Sequence, residues 1–298
     1  MQSLDKIGSY HSSVQLAVAS ILAAPLKRDA PAVPRFTKEE ALESSFAFAV
    51  RYRGFDAAVP DFHETWYREI DDEDNHRILL LAPRDHAKTS LVLTYVMRRL
   101  VKKRRLRIGL ISATDPLAMA FLREVVQQLE ENEQLISDFG IFKPPHPRKW
   151  SDHEIVIEGG ARGKDVSIFA LGRGGQVTGR RADLLVFDDI ENTASTASAT
   201  KRAQTRAWLG KEALPMLVTG GKAVVLGTHK NFEDAYMTLK ADGRSLVGYT
   251  DGFAEDQKRA TWLVLDNATT AHREDGTPQW PERHSLESLE KKKQELDA

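Results

Sequence analysis

The 298-residue chain has no cysteine, so it can form neither a disulfide nor a thiolate metal site, and it suits a reducing interior. It also lacks a charge imbalance. Lys plus Arg is 42 and Asp plus Glu is 43, a net charge of −1, so contact with a polyanion must come from local patches. Apolar runs such as Ile78–Ala82 and Leu184–Phe187 are far too short to cross a bilayer. The start, Met1-Gln2-Ser3-Leu4-Asp5-Lys6, has no basic-then-apolar order of a signal peptide. A soluble, cytosolic protein with no membrane contact is expected. There is no internal repeat, no long low-complexity tract and no helix-turn-helix or zinc-finger spacing, so sequence-specific base readout is not expected.

What is present is an alternation of short β-rich runs with helical stretches. Residues 1–70 read as a helical, mixed segment, with Gln15–Ala24 an apolar helix and a proline-containing linker at Ala30–Arg35. A further helix is predicted from Thr37 to about Arg51, with Thr37 and Glu40 at capping-box spacing. From Arg77 the strand candidates are Arg77–Leu81, Leu106–Ser112, Glu154–Ile157, Val166–Leu171, Leu184–Phe187 and Ala223–Leu226. Thr89–Val101, Pro116–Glu131, Thr200–Leu217 and Phe232–Leu239 carry helical periodicity. This alternation predicts an α/β fold with a mainly parallel central sheet flanked by helices over residues 71–277. Gly159-Gly160 divides Glu154–Leu171 into what reads as an antiparallel hairpin. In the tail, 278–298, Ser285 is placed to cap a charged helix.

The strand Ile78–Leu81 runs into Ala82-Pro83-Arg84-Asp85-His86-Ala87-Lys88-Thr89-Ser90, and a helix pattern follows at once. Strand, tight loop, Lys, hydroxyl and helix is the order that wraps backbone N–H groups around phosphates. Lys88 would reach the β- and γ-phosphates of a nucleotide and Thr89 would ligate Mg²⁺. Both glycine positions of that loop pattern are alanine, Ala82 and Ala87, although glycine is the usual residue where the backbone takes positive φ. An ordinary strand-to-helix turn with an exposed lysine is the alternative. Downstream, Asp183-Leu184-Leu185-Val186-Phe187-Asp188-Asp189 is an apolar strand ending in two acids. Asp188 would hold Mg²⁺ and Asp189 would orient or deprotonate the attacking water, with Glu191 in reserve for that role. Paired acids after a strand also serve as helix N-caps.

Taken together these segments resemble the ATPase half of phage large terminase subunits, the motors that package double-stranded DNA. The residues carrying the resemblance are the deviant loop Ala82–Ser90 with its internal Arg84, and Gly179–Asp189. Val225-Leu226-Gly227-Thr228-His229 and Gln279-Trp280-Pro281-Glu282-Arg283 add to it. The resemblance implies a RecA-like P-loop core using ATP and Mg²⁺, and a coupling role for Gly227 and Thr228. It also implies an arginine acting in trans within a homo-oligomeric ring, for which Arg180 is favoured over Arg181 and Arg173, while Arg84 would act in cis. Phe62 stands where related ATPases hold the adenine; Phe62 and Trp66 are alternatively core residues. The implied partners are double-stranded DNA, a portal protein and a small terminase subunit, in the host cytoplasm. Too few residues follow Glu282 for a folded nuclease, so nuclease activity is not expected of this chain.

Arg98, Arg99, Lys102, Lys103, Arg104, Arg105 and Arg107 form the densest basic cluster, either a solvated face or a DNA or partner patch. Two other functions stay open: a superfamily-2-like helicase ATPase, and a degenerate P-loop scaffold that binds DNA without turnover.

Overall fold

A computed structural model describes residues 36–55, 61–228, 233–241, 243–246, 261–266, 276–278, 280–281 and 283–297. The chain divides into two units, Met1–Pro34 and Arg35–Ala298, and every described strand and helix belongs to the second. The expected helix Gln15–Ala24, the linker Ala30–Arg35, His229, Gln279 and Glu282 lie outside the described residues.

Eight strands form one sheet: β1 (Arg77–Leu81), β2 (Ile108–Ser112), β3 (Glu154–Ile155), β4 (Ile168–Gly172), β5 (Ala182–Asp188), β6 (Leu217–Gly227), β7 (Gly243–Leu246) and β8 (Trp262–Asp266). Their order is β3-β4-β2-β5-β6-β1-β8-β7. Every pairing is parallel except β3 with β4, which is the antiparallel pair expected around Gly159-Gly160. The six strands read from sequence are present, with shifted ends. β7 and β8 are additional; the run Trp262-Leu263-Val264-Leu265 carried the signal for β8.

The sheet is apolar on both faces because both are covered. Ile78 and Leu80 of β1, and Leu184 and Val186 of β5, point into one core. Leu79, Leu81, Leu185 and Phe187 point into the other. The first core is covered by α1 (Lys38–Glu43), α2 (Ser45–Arg53), α3 (Asp61–Asp71), α4 (Lys88–Lys102), α5 (Asp115–Glu131) and α6 (Glu133–Phe139). The second is covered by α8 (Ala199–Trp208), which follows the short α7 (Thr193–Thr196), and by the π-helical turn Leu209–Ala213 and α9 (Ala235–Ala241). In the tail, α10 spans Leu286–Asp297, and the Ser288 N–H donates to Ser285 Oγ at 3.2 Å.

The helix predicted from Thr37 to Arg51 is two helices. The Thr37–Glu40 capping box starts α1, but Ser44 takes extended backbone and its hydroxyl caps α2, breaking the run. Gly54, at φ 65, ends α2. A buried ion pair then fastens this layer to α4: Arg98 donates to Asp71 Oδ1, to Ser45 Oγ at 2.8 Å and to the Leu42 carbonyl. No helix among the described residues is long and apolar enough to cross a membrane.

Candidate nucleotide site

In a parallel sheet the loops at the carboxyl ends of the strands converge, and β1, β6 and β5 are consecutive neighbours. The loop after β1 begins at Ala82, whose N–H donates to the Gly227 carbonyl of β6 at 3.2 Å. The two alanines at glycine positions behave differently. Ala87 has φ 57 and ψ 24, the left-handed region, whereas Ala82 does not take positive φ. Asp85 is also left-handed, at φ 63. Ala87 leads into α4, which has no side-chain N-cap, so its first-turn amide groups point at the loop's mouth.

Lys88 is buried, and its Nζ donates to the Ala82 carbonyl at 2.9 Å, the Pro83 carbonyl at 2.8 Å and Thr228 Oγ1 at 3.1 Å. The Thr228 hydroxyl in turn donates to the Ala82 carbonyl at 3.2 Å. The loop lysine and the residue after β6 are therefore joined through one hydrogen-bonded set. Thr89 Oγ1 donates to Asp188 at 3.0 Å and 3.2 Å. Burial, and then the neighbouring Asp189 charge, push the Asp188 carboxyl up to about 7 against the Thr89 hydrogen bond and Lys88. Asp189 has φ 44, its N–H donates to the Leu226 carbonyl at 3.1 Å, and its buried Oδ1 has no hydrogen-bond partner. Such a combination is stable only where the surroundings over-determine it.

Those surroundings are a clamp that the sequence did not reveal. Glu191 is 1% exposed: one carboxylate oxygen accepts from the Ala235 N–H at 3.0 Å, the other from the Ser195 hydroxyl. Arg173 lies 3.6 Å from the second oxygen and donates to the Ile190 carbonyl at 3.1 Å and Thr205 Oγ1 at 3.3 Å. Tyr236 OH accepts from the Glu191 N–H at 3.2 Å. The Tyr236 ring covers Gly227 so closely that a Cβ there would lie 2.6 Å from it. The DDIE segment is thus pinned to α9, which follows the Gly227-Thr228 turn. Only tertiary structure joins residues 173, 191, 227 and 236.

Behind the loop, His86 Nδ1 donates to the Arg84 carbonyl at 2.9 Å, and His63 Nε2 of α3 donates to the His86 carbonyl at 2.9 Å. Burial lowers both imidazoles to about 4, so each is neutral near pH 7. Phe62 is 3% exposed, with its ring 4.9 Å from Trp66, 6.0 Å from His86 and 6.2 Å from Trp280. It packs against the back of the loop, and an adenine-stacking role would need one of these rings to move. Arg84 and Asp85 stand exposed at the loop's crown, and Ser90 is half-buried in the first turn of α4.

Arg180 precedes β5, at the opposite edge of the sheet from the phosphate loop. Its Nη1 bonds Glu154 Oε1 at 2.8 Å and its guanidinium lies over the Phe169 ring at 4.7 Å. Arg181 beside it is exposed. The basic cluster after α4 does not survive as one patch. Arg98 is buried against Asp71, Arg99 pairs with Glu73, and Lys102 with Glu43. Arg104 bonds the carbonyls of Phe139, Ile141 and Glu158, and Arg107 pairs with Asp183 and Asp165.

A loop lysine between strand and helix, an acid-tipped β5, and a strand inserted between β5 and β1 give the fold of the P-loop NTPases, of the additional-strand, RecA-like type. Within that fold the chain is similar to phage large terminases, the resemblance its motifs carry. It is 28% identical to the terminase large subunit of Enterobacteria phage T3 over 194 residues, 59% of this chain and 29% of that protein. Among solved structures it is similar to the HK97 bacteriophage large terminase, with a TM-score of 0.52, 15% identity, and coverage of 88% of this chain and 52% of that one. The Thermus phage P74-26 large terminase ATPase domain, in mutant form, gives a TM-score of 0.49 at 15% identity, covering 78% of this chain and 88% of that one. No family model matches. The chain thus spans under a third of its curated relative and about half of the HK97 protein.

Proposed function

We propose that the chain is the ATP-hydrolysing motor domain of a viral DNA-packaging terminase, driving double-stranded DNA into a procapsid. The supporting observation is the convergence of Lys88, Thr89, Asp188, Asp189 and Thr228 at the carboxyl ends of β1, β5 and β6. The proposed organisation is an N-terminal helical segment (1–70), the ATPase core (71–277) and a tail (278–298). A portal protein and a small terminase subunit are the proposed partners, with the motor acting as a ring in the host cytoplasm.

The donor set fits Mg²⁺. Among the described residues no three His, Asp or Glu side chains form a metal cluster. Mg²⁺ on a nucleotide needs only one or two protein ligands, the rest being phosphate oxygens and water. Thr89 and Asp188 supply that pair, and a cation there would relieve the charge that raises the Asp188 carboxyl. Held by Thr89 and Asp188, the ion would supply positive charge to offset what develops on the phosphate oxygens. Lys88 and the amides of Asp85–Thr89 hold the phosphates. Asp189, with a buried oxygen lacking a partner, orients the attacking water and accepts its proton. Glu191 has both carboxylate oxygens committed to protein donors, so it positions Asp189 instead of replacing it. Thr228 shares the Ala82 carbonyl with Lys88 and is suited to sense a γ-phosphate. Arg180 is anchored to Glu154 and Phe169, which makes Arg181 the freer guanidinium for a neighbouring subunit's site.

ATP turnover with and without DNA tests the proposal. Lys88→Ala should abolish measurable turnover. Asp189→Ala should lower kcat about 10²–10⁴-fold with nucleotide affinity retained, as for loss of a general base. A wild type that binds DNA but hydrolyses no ATP at any protein concentration would instead favour a scaffold. Arg181→Ala should remove the concentration-dependent part of turnover, while Arg180→Ala should act mainly on stability.

A further inference from the structure

The amino ends of β4, β2 and β5 lie side by side, with Ile108 paired to both Ile168 and Leu184. Three loops enter the sheet there: residues 103–107 before β2, 158–167 before β4, and 179–181 before β5. They bring together Lys103, Arg105, Arg162, Lys164 and Arg181, all exposed. These residues are scattered over nearly eighty positions of sequence, and only the parallel strand order collects them.

Several contacts make the surface continuous. Arg107 ties the first loop to the second through Asp165 at 3.3 Å and to the start of β5 through Asp183 at 3.0 Å. Arg104 bonds the Glu158 carbonyl at 3.0 Å. Lys164, Arg180 and Arg181 line one cavity of about 380 Å³ with Asp165, Thr178 and Glu154, the last paired with Arg180 at 2.8 Å. Burial raises the Asp183 carboxyl, but the Arg107 hydrogen bonds and the charges of Arg107 and Lys103 outweigh it and hold it below the usual range. Both inner acids are therefore spent on Arg107, and Glu158 is the one other carboxylate on the three loops. Five exposed cations facing one such acid stand out on a chain whose net charge is −1.

The partner's chemistry follows from what the patch lacks. A protein interface needs an apolar or aromatic centre and is depleted of lysine. Among the described residues the exposed large apolar side chains are Leu117, Ile141 and Leu286, and only Ile141 borders this edge. Among those residues no phenylalanine, tyrosine or tryptophan is exposed to stack a base, as single-strand binding uses. Long, mobile cations without an apolar centre suit a phosphodiester backbone, contacted without reading sequence. We propose that the amino-terminal edge of β4-β2-β5, carried by Lys103, Arg105, Arg162 and Lys164, is a binding surface for the backbone of double-stranded DNA. It lies across the sheet from the phosphate loop, so DNA and nucleotide do not compete for it. The assignment rests on the packaging role only for the identity of the polyanion.

The test uses the full chain and a 30-base-pair duplex, with binding followed by fluorescence anisotropy over a range of salt. In the variant Lys103→Ala/Arg105→Ala/Arg162→Ala/Lys164→Ala, affinity should fall about tenfold or more, and the log–log salt slope should flatten by about 3 to 4. Its thermal midpoint, nucleotide binding and DNA-free ATP turnover should match the wild type. A control, Arg68→Ala/Lys201→Ala/Lys211→Ala/Lys291→Ala, removes the same charge elsewhere and should bind DNA nearly as well as wild type. Equal losses in both variants, or wild-type binding by the first, overturn the proposal. A first variant that loses self-association in sedimentation but keeps its DNA affinity assigns the edge to contacts between copies, and also overturns it. Selective loss of DNA binding in a protein without ATP turnover would sink the motor function and leave this surface standing.

Discussion

Ala87 sits in the left-handed region at the step where the phosphate loop becomes α4. An L-residue with a Cβ pays about 1–2 kcal/mol for that conformation, and glycine does not. Glycine in turn costs about 0.4–1 kcal/mol by loosening the unfolded chain. Ala87→Gly should therefore stabilise the protein by about 0.5–1 kcal/mol. For a domain of this size that raises the thermal midpoint by about 1–4 °C. Ala82→Gly is the matched control with the opposite sign. Ala82 is 3% exposed and does not take positive φ, so glycine there gains no relief. It loses a buried methyl worth about 0.8 kcal/mol as well as the entropic term, so destabilisation by about 1–2 kcal/mol is expected. Urea denaturation of both variants without nucleotide gives the comparison. If the two substitutions shift stability in the same direction, the backbone argument is wrong. Nucleotide affinity of Ala87→Gly should stay within about twofold of wild type, because strain present in both free and bound loops cancels.

The remaining expectations are more local. Arg98→Ala should cost about 2–4 kcal/mol in denaturant unfolding, because it leaves the half-buried Asp71 without its ion-pair partner and with only the Ser45 donors. Gly227→Ala should cost about 1–3 kcal/mol by driving a methyl into the Tyr236 ring, and Tyr236→Leu in that background should recover part of the loss. Glu191→Gln keeps an acceptor for the Ala235 N–H but removes the charge facing Arg173, so kcat should fall about tenfold with KM nearly unchanged. Adding Arg173→Ala should then cost little more, and additive losses would show that the two act separately. His63 and His86 are lowered from 6.5 to about 4, so between those values the unfolded chain binds more protons. Stability should be full above pH 6.5 and fall as the pH drops toward 4, each imidazole contributing up to about 1.4 kcal/mol per pH unit. His63→Gln should flatten that slope in urea titrations, and an unchanged slope would refute buried neutral histidines.

The sequence by itself determined the alternation of strands and helices, the six strands that begin at Arg77, the Thr37–Glu40 capping box, and the order of Lys88, Thr89, Asp188, Asp189, Gly227 and Thr228. These are local matters: side-chain periodicity, cap spacing and the residue types that hold phosphate or metal are written in short stretches of chain. It also carried the oddity of Ala82 and Ala87, but the two alanines look alike until backbone angles separate them. Tertiary structure decided the rest. Strand order inserted β6 between β5 and β1, which brought Thr228 onto Lys88 and Tyr236 over Gly227. It turned Glu191 inward to Arg173, Ser195 and Ala235, and tied Arg180 to Glu154. It dissolved the run of cations at 98–107 into ion pairs, while gathering Lys103 and Arg105 with Arg162, Lys164 and Arg181 from distant loops. Charge runs do not announce their partners. Whether a cation is spent inside the fold or left for a ligand depends on which carboxylate the packing brings within about 4 Å, and that distance is set by the whole chain.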